Sequence, residues 1–160
     1  MLLVRIQQME DLSQRLLKDE HQSLVVPVAS APAPRTALVV RAEQAQALRV
    51  SQYLAFEKET AQWLLEEFPD HCAMLGENGV RDKVRGLVQV AGRYGFRSQA
   101  DAMRFIFISF LLGPDFELVP ERDWIKEILD RKGADPGARM DELFEQIALR
   151  LETLEDPSLL

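Results

Sequence analysis

The sequence predicts an all-α protein: an orthogonal helical bundle with a buried central helix and an N-terminal helix carried on a linker. Three observations carry that reading. Apolar residues recur at steps of three and four through most of the chain, alternating strand-like patterns are nearly absent, and residues 102–112 are apolar almost all round. A helix that is hydrophobic on every side belongs inside others rather than on a surface. With 160 residues, 47% of them hydrophobic, the chain can bury a sizeable core without metals or disulfides, and its single cysteine, Cys72, excludes an internal disulfide.

Taken in order, residues 1–20 place Leu2, Ile6, Met9 and Leu16 on one stripe among Gln, Glu, Asp, Arg and Lys, which predicts an amphipathic helix. Residues 21–37 follow as a linker, because Pro27, Pro32 and Pro34 remove backbone donors and bias their predecessors to extended conformation; a short edge strand at 24–28 is the most it can form. The first helix then either packs on its own domain or serves as a separable arm. A helical domain is expected over 38–156, with a tail at 157–160.

Within that domain, residues 40–68 lack Gly and Pro and trace one stripe through Ala45, Leu48, Tyr53, Phe56, Thr60, Trp63 or Leu64, and Phe68, a long spine helix. Pro69 restarts the chain for a short turn that Gly76 stops. The next helix spans 79–94, with Val80, Val84, Leu87, Val88 and Ala91 inward and Gly95 at its end. Ser98 with Asp101 three residues later forms a capping-box signature that opens the central helix, and Gly113-Pro114 closes it. After a loop at 115–120, Trp124, Ile128 and Leu129 point inward from a short helix over 122–131. Asp135-Pro136 supplies a cap and a first-turn proline for a last helix with Met140, Leu143, Phe144, Ile147 and Leu151 inward.

The net charge of −7 lies in the C-terminal third, where residues 114–160 hold 13 acidic and 6 basic side chains. Nucleic-acid binders need a basic face to neutralise phosphates, so no nucleic-acid partner is expected. Arg81, Lys83, Arg85, Arg93, Arg97 and Arg104, interleaved with Asp82 and Asp101, have the spacing of a solvated helix face. The N-terminal apolar residues are broken by Arg5, and the longest apolar run, 105–112, falls short of the roughly 20 residues that span a bilayer. A cytoplasmic chain without a membrane span is the expectation.

Chemistry is sparse. His71 and Cys72 are adjacent, so on a helix their side chains diverge by about 100° and cannot pair as thiolate and imidazole. The carboxylates Asp115, Glu117, Glu121 and Asp123 are dense enough to hold a hard cation, but a calcium loop begun at Asp115 meets Pro120 where Gly is required and Lys126 where Glu is required. No catalytic residue, metal ligand or cofactor site is therefore assigned. Phe116 and Trp124 flank the loop and offer aromatic anchors to a partner, as does the stripe of Leu2, Ile6, Met9 and Leu16.

The order Phe68-Pro69, Arg93-Tyr94-Gly95, Ser98, Asp101, Leu112-Gly113-Pro114-Asp115-Phe116 and Trp124-Ile125-Lys126-Glu127-Ile128-Leu129, with Glu43-Gln44 and Phe56 upstream, resembles small helical accessory proteins encoded beside type VI secretion spike, tip and effector genes in Proteobacteria. The likeness covers roughly residues 38–152 and departs from the pattern at Glu117 and Asp123. It implies a non-enzymatic adaptor or chaperone-like accessory that binds an effector or spike component, with a homo-oligomer through the N-terminal helix as a further expectation. The alternatives are an immunity protein that neutralises a toxin, for which an acidic domain suits a basic nuclease, and a hydrolase built on the carboxylates near residue 115.

Overall fold

The computed structural model describes residues 7–9, 11 and 37–153, with the side chains of 37–42 and 151–153 left aside. Among the described residues the protein is all-α: the regular elements are helical and no β-strand occurs. The linker, the edge strand at 24–28 and the tail lie outside this set. Residues 7–9 and 11 are helical. The domain then runs through α1 (Ala37–Glu67), α2 (Pro69–Cys72), α3 (Gly76–Arg93), α4 (Gln99–Leu112), two single 3-10 turns (Phe116–Leu118 and Pro120–Arg122), α5 (Asp123–Leu129) and α6 (Pro136–Thr153).

The 31-residue α1 is the spine, and it stops where Pro69 restricts Phe68 to φ −125°, ψ 54°. Its core face is Tyr53, Phe56, Thr60, Ala61 and Leu64, while every residue from Glu43 to Arg49 is exposed. The third helix begins at Gly76, three residues earlier than the apolar pattern marks, because a glycine at φ +64° turns the chain directly into it. It buries Val80, Val84, Val88 and Ala91 and ends in a Schellman motif. There Phe96 N donates to Ala91 O at 3.0 Å and Gly95 N to Gly92 O at 3.1 Å, with Gly95 at φ +90°.

The capping signature at Ser98 is realised: its Oγ accepts from the Asp101 amide at 3.0 Å and donates to Asp101 Oδ2 at 2.7 Å. Behind this cap, α4 buries Ala100, Ala102, Met103, Phe105, Ile106, Phe107, Ile108 and Phe110. Each such aromatic or branched side chain contributes about 1.5–3 kcal/mol relative to exposure, which makes α4 the energetic centre of the fold. It packs between α3 and α6; α1 lies against α3, and α5 against α6. Asp135 opens α6 as expected, its Oδ2 accepting from Ala138 N at 3.0 Å. The segment after Gly113 is two 3-10 turns rather than open loop: Leu118 N reaches Asp115 O and Arg122 N reaches Val119 O. No described helix is long and apolar enough to cross a membrane.

Candidate functional site

The starts of α4 and α6 and the turn at Gly95 enclose a cleft of about 500 Å³, lined by Arg97, Ser98, Asp101, Arg104, Asp135 and Asp141 among others. Its position follows from local sequence, because both helices announce their first turns with a capping residue beside it. Most of its polar groups are engaged in holding the fold. The Ser98 hydroxyl is shared with Asp101, Asp135 caps α6, and Arg104 pairs with Asp141 while lying over the Phe144 ring. Burial pushes the Asp101 carboxyl above its ordinary value, and the charges of Asp141 and Asp135 add to it against Ser98 and Arg104. The cleft's lining is of mixed charge, with Arg97 left exposed at its rim.

A second constellation joins α1 to α3. Glu57, with no exposed side-chain surface, accepts from Arg81 Nε at 3.0 Å and from Arg85 Nε and Nη2 at 3.1 and 3.0 Å. One turn earlier, the buried Tyr53 hydroxyl lies beside Arg85, and burial followed by the charge of Glu57 raises its pKa against the opposing charge and hydrogen bond of Arg85. The basic run thus does more than face solvent: Arg81 and Arg85 neutralise a buried carboxylate, and the Lys83 ammonium lies 4.5 Å above the Phe110 ring.

Arginines also secure helix ends. Arg139, 7% exposed, donates to Leu129 O at the end of α5 and to Tyr94 O at the end of α3 at 2.7 Å, and lies over Phe96. Arg122 donates to Leu112 O at the end of α4 at 3.0 Å. A cation at a helix C-terminus satisfies orphan carbonyls and complements the macrodipole.

Of the residues singled out in sequence, Leu2, Ile6 and Leu16 lie outside the described set. Met9 has no exposed surface and belongs to the hydrophobic core. Phe116 is likewise fully buried, its ring 5.2 Å from Phe105, so it anchors the turn to the core. Trp124 is half-buried, with the Arg150 guanidinium 4.0 Å from its ring, while Ile125 takes the inward position beside it. Glu117 is buried, Asp115, Glu121 and Asp123 are exposed, and no described group of three or more His, Cys, Asp or Glu side chains is placed to hold a metal ion. No side-chain cap is made at the start of α5. Cys72 is buried, donates to Leu64 O, and has its thiol pKa raised by burial; His71 meets Phe68 edge-on at 6.0 Å.

Comparison with protein-family models, with curated proteins and with solved structures finds no match.

Proposed function

We propose that the protein is a non-enzymatic interaction protein, a cytoplasmic adaptor or chaperone-like accessory that binds a type VI secretion effector or spike component. The observation that supports an interaction role is the stretch of α1 from Glu43 to Arg49, exposed at every residue and carrying Leu48 at 59% exposure. Two exposed turns of helix present side chains all round, a form that a partner's groove can grip without disturbing the core. The resemblance over residues 38–152 supplies the class of partner.

The test is co-purification of the tagged protein with the effector or spike product of the adjacent genes, for the wild type and for Leu48→Glu. The expected result is a stoichiometric complex that the substitution weakens at least tenfold while the melting temperature holds. Absence of a complex with every neighbouring product sinks the reading. The acidic C-terminal third favours a second reading, an immunity protein for a basic toxin. Rescue of cells expressing the neighbouring toxin separates the two.

A further inference from the structure

The N-terminal segment touches the domain in a telling way. Of its four described residues Gln7, Gln8 and Asp11 are exposed, while Met9 is completely buried in the same cluster as Phe105, Phe107 and Phe116. Among these described residues it is Met9, unbranched and polarizable, that is seated in the core of a domain whose first helix begins 28 residues further on, at Ala37, after a stretch holding Pro27, Pro32 and Pro34. We propose that the socket filled by Met9 is a helix-docking site whose resident occupant is this chain's own N-terminal segment, seated intramolecularly and releasable without unfolding the domain.

Three physical arguments converge. A segment of about 20 residues is marginal as an isolated helix in water, so an amphipathic one gains its helicity by docking. A tether of this length holds it at an effective concentration on the order of millimolar, so a contact of modest intrinsic affinity stays closed most of the time yet opens readily. Methionine is the side chain best able to fill and vacate an irregular apolar pocket, since its three rotatable bonds adapt to the walls. The inference goes beyond the proposed function and holds or fails independently of any secretion partner.

The experiment uses the full-length chain and a fluorescently labelled synthetic peptide of residues 1–20. Hydrogen exchange of the wild type should show the amides of residues 7–11 exchanging at least a hundredfold faster than those of α4. Titration should show the peptide binding at least tenfold tighter to Met9→Asp than to the wild type, whose socket is occupied, and a peptide carrying the same substitution should not bind. Met9→Ala, which leaves an apolar segment and is the milder change, should give an intermediate affinity and serves if the aspartate variant fails to fold. Equal peptide affinity for wild type and folded variants overturns the proposal, as does exchange at residues 7–11 that occurs only with global unfolding. A wild-type dimer that the peptide converts to monomer assigns the socket to the segment of a second copy, and also overturns it.

Discussion

At Glu57 a carboxylate without solvent exposure is held by three N–H donors from two arginines. Removing one side of such a pair strands the other, yet Arg81 and Arg85 remain 32% and 45% exposed, so water can recover part of the loss. Glu57→Ala should cost about 3 kcal/mol in urea unfolding, near the lower end for buried pairs; a loss below about 0.5 kcal/mol, the range of ordinary surface changes, would count against the bridge as a tether between α1 and α3. Asp101 behaves differently. Its raised carboxyl leaves the native state holding more protons than the unfolded chain between the unfolded value, about 3.9, and the higher native one. Its contribution is therefore most favourable below that window and is lost as pH rises through the native value. Asp101→Asn keeps an acceptor for Ser98 and cannot ionise, so the stability of the variant relative to the wild type should grow as pH rises from about 4 to 7. A difference that stays flat across that series of unfolding curves would show that Asp101 does not titrate abnormally.

At the scale of the element, α4 decides the fold. Phe107 and Ile108 have no exposed surface, and Phe107 lies against the rings of Trp63, Phe68 and Phe144, so a carboxylate at either site is taken out of water. Phe107→Asp or Ile108→Asp should lower stability by several kcal/mol and abolish cooperative melting, as followed by circular dichroism; a variant that melts like the wild type would displace α4 from the centre. This helix was legible in the sequence because an all-round apolar run and a Ser98 cap are local signals. The same holds for Pro69, Gly95 and Asp135-Pro136, which act on the backbone where they stand. Glu57 was not legible, because a glutamate in a long helix looks like any solvated residue and its partners lie 24 and 28 positions away. Arg139 escaped for a similar reason: its acceptors are carbonyls of Tyr94 and Leu129, which carry no signature of their own. Phe116 follows a glycine-proline break and reads as a loop residue, but Asp115 adopts a left-handed φ of +54° and the chain turns that ring inward.

For the whole molecule, the question is how far the domain depends on its first residues. Among the described residues of the N-terminal segment Met9 is the buried one, and burying a methionine is worth about 1.5–3 kcal/mol, against a total of about 5–15 kcal/mol for a domain of ordinary stability. Deletion of residues 1–34 should therefore leave a domain that still unfolds cooperatively in calorimetry, with a Tm lower by about 10 °C. A truncated chain with no transition would make the N-terminal segment an integral part of the core. The distribution of charge acts at this scale too. Residues 1–113 are neutral on balance and the acidic excess belongs to the remainder, so a basic partner would be attracted through the C-terminal third of the chain, with a strength that falls as salt is added.

The single thiol gives the protein a built-in clock. Cys72 is 1% exposed, its hydrogen is directed at Leu64 O, and burial raises its pKa, so the reactive thiolate is scarce while the short second helix is in place. Labelling by a water-soluble disulfide reagent then waits on the opening of the α1–α2 corner, and its rate counts those openings without any engineered probe. Native protein should react at least a hundredfold more slowly than protein in denaturant, and Glu57→Ala should speed the native reaction if loosening α1 from α3 loosens that corner. Equal rates in native and denaturing buffer would mean that the thiol is reached from solvent in the folded chain.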